Sequence, residues 1–258
     1  MGIEKIILVG VNYGSSAFVD QFVASWLSVP EVRHIVVVDN FSDDAEVRRI
    51  QSIVSRDDRI SALFRKNDGY GAALNDGVQH VLSSVDCRNS LVLFGNVDVT
   101  PVSVSLSGID SGAIPEISII QDSRVCRVFL TRFQRHFLGL MRIAVATGSS
   151  FTLLMYVMFN RLLGLIPSKT WAVHGALFAL TADQLARVHP VFDGRAFLYC
   201  EELFFARRIE TLGVPYRPAP ITVKHIGSVS TGKTVKASAQ RLFATWRQSA
   251  RVFLETAR

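Results

Sequence analysis

Leu91-Val-Leu-Phe-Gly-Asn-Val-Asp-Val-Thr-Pro101 is the stretch whose residue types most plainly suggest chemistry. A short apolar run, Leu91 to Phe94, reads as a buried strand that stops at Gly95 and leaves Asn96 and Asp98 just past its carboxyl end. Ligands of open α/β sheets bind outside the carboxyl ends of strands. A carboxylate there suits a divalent cation and, through it, a diphosphate. A plain turn is the competing reading, because Asn, Asp and Pro favour loops. Glu201 and Glu202 form a second candidate, adjacent at a predicted helix start among Phe197, Tyr199, Phe204 and Phe205. Desolvation by aromatic neighbours raises a carboxylate pKa toward general-base duty. Paired acids at a helix N-terminus also answer to the macrodipole alone. His225, at the end of an extended segment, is a possible metal ligand beside Asp98, or an ordinary structural histidine.

Gly227-Ser-Val-Ser-Thr-Gly-Lys-Thr234 fits the P-loop pattern in full. Only 24 residues follow it, too few for the strands that carry a P-loop enzyme's Mg²⁺-holding Asp, so the match reads as coincidence.

The elements that must position these residues alternate along the chain. Lys5 to Gly10 and Ile35 to Asn40 read as strands buried on both faces, the second ending on Asp39 and Asn40. Phe18, Phe22, Val23, Trp26 and Leu27 repeat at helical spacing between them. Ser42 is a cap-like start for a second helix, Ile60 to Phe64 a third strand, and Lys66 to Asn75 leads into a helix reaching about Ser83. Trp171 to Leu180 resumes strand character, Thr181 starts a short helix, and Tyr216 to His225 is extended. Such alternation implies a mostly parallel sheet flanked by helices. The dinucleotide fingerprint is missing, since Gly10 and Gly14 do not make G-x-G-x-x-G, but Asp39 could still grip the ribose or base of any nucleotide.

The chain has 258 residues, 49% of them hydrophobic, enough to bury a substantial core. Its net charge of +6 is uneven: residues 123–182 carry seven positive charges and no acid, the tail from Gly232 adds +5, and the remainder stands at −6. The asymmetry points to two regions facing a polyanionic surface. Phe129, Phe133, Phe137 and Leu140 lie at helical spacing among arginines, and Ile143 to Asn160 is uncharged. As one helix those 18 residues would be roughly 27 Å long. The expected form is a helix or hairpin in the interface of an anionic membrane, with a buried insertion as the alternative. Phe243, Trp246, Ala250 and Phe253 mark the tail as a basic amphipathic helix, a second candidate membrane or partner surface. Three cysteines without metal spacing, and no apolar leader, lead us to expect a cytoplasmic protein with reduced thiols.

Together these segments resemble the inverting glycosyltransferases of family 2, with the GT-A fold, and most closely the bacterial rhamnosyltransferase-like enzymes of surface polysaccharide assembly. The resemblance rests on Val36-Val-Val-Asp-Asn-Phe-Ser-Asp43, Asn67-x-Gly-Tyr-Gly-Ala-Ala-Leu-Asn75 with Gly77, Leu93 to Val99, and Gly175-Ala. It continues through Phe192-Asp, Phe197 to Glu202, Arg208, Gly213 and Tyr216 to His225 with Ser230. Four parts follow: residues 1–122 for nucleotide-sugar binding, 123–168 as a hydrophobic, basic helical insertion, 169–232 as the acceptor and catalytic part, and 233–258 as the basic C-terminal helix.

The resemblance implies a dTDP-, UDP- or GDP-linked sugar donor, with Asp39 and Asn40 on its base or ribose and Val11 and Asn12 lining the same pocket. Asn67, Gly71 and Asn75 would shape the nucleotide cleft. Asp98 would be the last acid of a D-x-D-like motif, with Asn96 in place of the first, and would hold Mg²⁺ or Mn²⁺ with His225. Glu202 would be the base where the family usually has Asp, with Glu201 as the alternative, and Phe204 replaces an acid common two residues later. The implied acceptor is a polyprenyl-linked saccharide at the inner face of the membrane, as in O-antigen biosynthesis, with no role for nucleic acid. A nucleotide-sugar binder without turnover and a P-loop NTPase are the alternatives.

Overall fold

The computed structural model describes residues 2–126, 134–149, 151–152, 154–155, 158, 169–227 and 238–256. Four strands lie parallel: β1 (Lys5–Asn12), β2 (Val32–Asn40), β3 (Ile60–Arg65) and β4 (Ser90–Asn96). A further strand, β8 (Leu177–Thr181), closes the sheet antiparallel to β4, giving the order β3-β2-β1-β4-β8. The near-continuous Val, Ile and Leu of these strands follow from burial on both faces. Side chains alternate across the sheet. Ile7, Val9, Val36, Val38, Val92 and Phe94 enter one core cluster, and Ile6, Leu8, Ile35, Val37, Leu91 and Leu93 enter the other.

Helices α1 (Ser16–Leu27) and α2 (Asp44–Val54) cover the second face, and α3 (Tyr70–Ser84) packs on the first. The expected cap of α2 is displaced by one residue. The Asp43 carboxylate accepts from the N–H groups of Ala45 and Glu46, while the Ser42 hydroxyl donates to Asp39. Thr181 does cap its helix, α5 (Ala182–Val188), in a reciprocal capping box with Gln184.

A second sheet, not foreseen from the sequence, has the order β5-β9-β6-β7, formed by β5 (Val99–Val104), β6 (Ile114–Gln121), β7 (Arg124–Val125) and β9 (Tyr216–His225). The strand expected over 171–180 begins only at Leu177. Ahead of it the chain bends so that the Ala176 carbonyl accepts the Asn96 N–H.

The insertion is helical over α4 (Gln134–Thr147), where Phe137, Met141 and Ala144 are buried in the main core. Of the helix or hairpin expected here, α4 stops at Thr147, Gly148 turns out at a φ of 64°, and residues 151–152, 154–155 and 158 are again helical. No described helix is long and apolar enough to cross a membrane. Phe129 and Phe133 lie outside the described residues, as do most of 150–168. The last helix, α7 (Ser238–Thr256), corrects a second expectation. Its apolar face is not free, because Trp246, Ala250 and Phe253 are buried in the protein's own core, with Phe253 edge-on to Phe204. The Arg247 guanidinium donates to the Val145 carbonyl and the Ser249 hydroxyl to that of Leu198, so α7 holds α4 and the 190s loop in place.

Candidate active site

The carboxyl ends of β1 to β4 gather the polar residues into one row. Register pairs Asn12 with Asp39, Asn40 with Arg65, and Val11 with Asn96. Strand order reverses at β1: the chain steps outward from it through β2 to β3, then crosses back to place β4 on its other side, and ligands of α/β sheets bind at such a switch point. Asp39 is buried, and burial raises its pKa, opposed by hydrogen bonds from the Ser42 hydroxyl and the Asn12 amide. Both donors reach Oδ1, which leaves Oδ2 without a protein partner among the described residues. Asn12 Oδ1 is likewise buried and unpartnered. Two acceptors awaiting donors at this edge fit ribose hydroxyls or a base N–H. Asn40 joins the row through its amide, which donates to Asn67 and accepts from Arg65.

Three expected cleft residues do other work. The Val11 side chain is in the core, so only its backbone borders the row. Asn75 clamps the 190s loop, its carbonyl oxygen accepting from the N–H groups of Val191 and Phe192 and its amide donating to the Phe192 carbonyl. Gly71 lies under the same loop, where a Cβ would stand 2.8 Å from Phe192 Cβ.

The second group assembles at the junction of the two sheets. Asp98 lies in the two-residue link between β4 and β5, and the antiparallel register of β5 with β9 sets Val99 opposite His225. His225 Nε2 therefore lies 3.3 Å from Asp98 Oδ1, with both side chains largely buried. Among the described residues that carboxylate oxygen nevertheless has no hydrogen-bond partner. The other ring nitrogen, Nδ1, lies 3.3 Å from the Gln121 amide oxygen, which can only accept. Nδ1 is thereby tied to Gln121, and Nε2 is the ring nitrogen that faces the carboxylate. The pair could hold a divalent cation, being two donors of the kind it takes, with the imidazole oriented at its far nitrogen by Gln121. Among the described residues no cluster of three or more His, Cys, Asp or Glu side chains forms, so this pair is what such side chains offer a cation there.

Glu202 stands on the adjoining wall. The chain enters α6 (Glu201–Glu210) through Tyr199 and Cys200, both left-handed, at φ of 74° and 68°. Such conformations cost roughly 1–3 kcal/mol each and cluster at functional sites. Glu201 is buried, and its carboxyl is pushed up to about 8 by burial and the charge of Glu202. Glu202 is partly exposed, its pKa also raised by burial, and its carboxylate accepts the Gly175 N–H. A Cβ at Gly175 would fall 2.7 Å from Glu202 Oε1, so only glycine admits the carboxylate there. The Tyr70 hydroxyl donates to the Gly175 carbonyl at 3.2 Å. Burial raises the Tyr70 pKa well above its usual value, with Glu201, Asp98 and Glu202 adding to the effect.

His174, just before Gly175, is a residue the sequence reading missed. Its ring packs edge-on to His225 at 5.5 Å between centroids, and its Nδ1 accepts the Ala176 N–H. Burial, then the neighbouring His225, push it down to about 4, so it is a neutral Nε2–H donor at physiological pH. Tyr70 stood inside a quoted motif without a role, and nothing local in the sequence marked Gln121.

A separate cavity of about 520 Å³ is lined by Glu116, Lys169, Trp171, Glu210 and Tyr216, and none of the residues above line it. Its acids are engaged structurally, Glu116 by the Thr170 hydroxyl and Glu210 by the Trp171 indole. The P-loop-like stretch lies outside the described residues from Ser228 onward.

Comparison with known proteins bears on the same region. Residues 8–98 match the family described as Glycosyl transferase family 2. This is the GT-A fold. GalNAc-T7, solved with UDP, GalNAc and Mn²⁺, superposes with a TM-score of 0.59 at 14% identity, covering 87% of this chain and 44% of its own. The mannosyltransferase PcManGT from Pyrobaculum calidifontis, with GDP-Man and Mn²⁺, gives 0.55 at 13% identity, covering 98% and 74%. Glucosyl-3-phosphoglycerate synthase from Mycobacterium tuberculosis, with Mn²⁺, UDP-Glc and phosphoglyceric acid, gives 0.53 at 16%, covering 98% and 79%. Identities this low speak to fold. This chain spans less than half of the GalNAc-T7 chain and about three quarters of the other two. No curated protein matches at the level of sequence.

Proposed function

We propose that this protein is an inverting, metal-dependent glycosyltransferase that moves a sugar from a nucleotide-diphospho-sugar to a hydroxyl of a saccharide acceptor. The observation that carries the reading is the largely buried Asp98–His225 pair, 3.3 Å apart, set beside a raised-pKa glutamate. The family match over residues 8–98 and the sugar-nucleotide complexes of the structural neighbours support it. Asp39, Asn12 and Asn40 hold the nucleoside. Asp98 and His225 would hold a divalent cation, Mg²⁺ or Mn²⁺, which would supply Lewis acidity for the departure of the diphosphate. Glu202 takes the acceptor hydroxyl's proton as that oxygen attacks the anomeric carbon from the opposite face. The bond to the phosphate oxygen breaks as the glycosidic bond forms, and configuration inverts. Glu202 is the base rather than Glu201 because it is the one with solvent access.

The acceptor we favour is polyprenyl-linked, at the inner face of a membrane, in surface polysaccharide assembly with a hexosyl or rhamnosyl donor. Supporting it, Ile143, Phe151, Leu154, Met155 and Met158 are exposed near Arg135 and Arg142, an apolar and cationic combination suited to an anionic bilayer surface. The test is transfer from a panel of labelled nucleotide sugars into the lipid-extractable fraction of native membranes, with and without chelator, for wild type and Glu202→Ala. One sugar incorporated, lost with chelator and in the variant, is the expected result. Binding of nucleotide with no transfer from any donor would leave a binding protein instead.

A further inference from the structure

The turn that delivers the two glutamates is strained, and the far end of the chain grips it on both sides. Tyr199 and Cys200 are consecutive left-handed residues, neither of them Gly or Asn, and no side chain caps α6 at Cys200. Such conformations persist only where the surroundings over-determine them. On the entry side the backbone is pinned twice. The Phe197 carbonyl accepts the N–H of Tyr70, the first residue of α3, and the Leu198 carbonyl accepts the Ser249 hydroxyl at 2.8 Å. On the exit side Phe253 stands edge-on to Phe204, with 5.4 Å between ring centroids. Leu198 and Phe204 bracket the turn and both glutamates, and α7 holds both.

Ser249 is the polar part of that grip. It is fully buried on the helix face that carries Trp246, Ala250 and Phe253, where alanine would pack as well and favour the helix more. A helical Ser or Thr often turns its hydroxyl back onto its own helix. Thr245 does so to the Arg241 carbonyl and Thr256 to that of Phe253. Ser249 instead reaches a segment 51 residues away in sequence. Helix α7 lies beyond the segments that carry the family resemblance, which gives Ser249 no role.

Resting on the glycosyltransferase reading, we infer that Ser249 is a positioning residue for the catalytic base, acting through the Leu198 carbonyl on the turn that sets Glu202. The direction in which Glu202 leaves α6 follows from the backbone angles of Tyr199 and Cys200. Its carboxylate must reach the Gly175 N–H, in a slot that a single Cβ at Gly175 would close. A shift on the order of 1 Å at a reacting group costs about 100-fold in rate. Without the hydroxyl the Leu198 carbonyl loses its donor, and the turn relaxes from its left-handed form and takes the base with it. The nucleoside edge stands on other elements, at the ends of β1 and β2, and keeps its geometry.

The experiment compares wild type, Ser249→Ala and Ile53→Val, the last a control that trims a buried side chain in the other core cluster. Thermal melts rank their stabilities. Transfer into native membranes, with Mn²⁺ and the nucleotide sugar that wild type uses, gives kcat and donor KM. Labelling of the native protein with a thiol reagent, read peptide by peptide by mass spectrometry, reports opening of the turn. Cys200 is buried within it, whereas Cys87 and Cys126 are partly exposed, and a buried thiol is inert until it opens to solvent. In Ser249→Ala, Cys200 is expected to label roughly 5- to 150-fold faster, the factor for leaving one acceptor unpaired. Its kcat is expected to fall by about 10- to 100-fold with donor KM unchanged. Ile53→Val should change neither. Unchanged kcat in Ser249→Ala would overturn the positioning role, whatever the labelling shows. An equal loss of kcat in Ile53→Val at matched stability would assign the effect to general weakening and overturn it too. If wild type transfers from no donor, the transferase reading falls and the role in catalysis falls with it. Faster labelling of Cys200 in Ser249→Ala would then show the clamp on the turn surviving that failure.

Discussion

His225 Nε2 and Asp98 Oδ1 are 3.3 Å apart, an ion pair when the imidazole is protonated, yet among the described residues that oxygen takes no hydrogen bond although both side chains are largely buried. Buried polar atoms in contact normally bond. An oxygen that does not, facing a ring whose far nitrogen is tied to Gln121, is organised for a third atom between the two. Asp98→Asn and His225→Ala should each lower transfer by about 100-fold or more at fixed metal, as loss of several kcal/mol of charge stabilisation implies. Gln121→Leu removes only the orienting bond. It should weaken metal affinity by about 10- to 100-fold, with kcat recovered at saturating Mn²⁺. A Mn²⁺ titration of activity for the three variants separates the cases, and a Gln121→Leu curve superimposable on wild type would reject the orienting role.

Gly175 couples Tyr70 to Glu202. Its carbonyl takes the Tyr70 hydroxyl and its N–H meets the Glu202 carboxylate. In Gly175→Ala the new methyl would lie 2.7 Å from Glu202 Oε1, so the carboxylate must leave its place. A misplacement on the order of 1 Å costs about 100-fold in rate. The expected outcome is a fall of that size in kcat with donor KM little changed. Tyr70→Phe, which deletes one hydrogen bond at roughly 0.5–1.5 kcal/mol, should cost no more than about 10-fold. Steady-state kinetics that show Gly175→Ala as active as wild type would remove Glu202 from the reaction.

How far these residues were legible depends on whether their role is local. Asp39 and Asn40 end the buried strand β2 and Asp98 lies two residues beyond the end of β4, and the apolar runs before them mark the strand ends without tertiary information. Glu201 and Glu202 open a helix after an aromatic loop, also a local pattern. Gln121 matters only because β6 pairs with β9, a pairing between segments about a hundred residues apart that includes strands interrupted by Pro115, Pro218 and Pro220. His174 sits in an apolar run that reads as strand, and the bend that frees it comes from the Asn96 N–H taking the Ala176 carbonyl. Ser42 was misread as a cap because Asp43 competes for the same N–H groups and Asp39 claims the hydroxyl.

Asn75 supplies a test of that distinction, since the family resemblance implied a place in the nucleotide cleft and the structure engages its amide with three backbone groups of Val191 and Phe192. Asn75→Ala leaves those groups without partners, at about 1–3 kcal/mol for a buried donor or acceptor. Urea denaturation should show a loss in that range. Nucleoside diphosphate affinity measured well below the unfolding transition should change less than about threefold, a shift under 1 kcal/mol. A large affinity loss with unchanged stability would return Asn75 to the nucleotide.

Glu201 makes stability depend on pH with a definite sign. Its pKa rises on folding from 4.5 to about 8, so the folded state keeps a proton that the unfolded state releases. The contribution is fully present below 4.5, declines as pH rises, and is gone once pH passes about 8. Stability should fall across that window by at most about 1.4 kcal/mol per pH unit for this one proton. Glu201→Gln should flatten the profile and melt above wild type at pH 8 to 9, while retaining transfer. Glu202→Gln should instead lower transfer by about 100- to 10,000-fold, the general-base range. Thermal melts and initial rates on both variants at several pH values check the assignment, and the opposite pattern of rates would make Glu201 the base.

The C-terminal helix separates folding from surface binding. Trp246, Ala250 and Phe253 are inside the core, whereas Arg241 and Arg251 of the same helix are exposed. Deleting residues 238–256 uncovers Phe204 and the 190s loop. Burying a large side chain is worth about 1.5–3 kcal/mol, so loss of several should leave the truncated chain insoluble or unfolded rather than released from membranes. Arg241→Glu with Arg251→Glu alters no core contact and should leave the melting temperature within a few degrees. On vesicles containing anionic lipid, the double variant should bind more weakly by about 1 kcal/mol per neutralised arginine, and more so for the reversals. Co-sedimentation with anionic and with neutral vesicles reads this directly. Equal binding of wild type and variant to anionic vesicles would remove α7 from the lipid-facing surface and leave any such surface to the exposed apolar residues that follow α4.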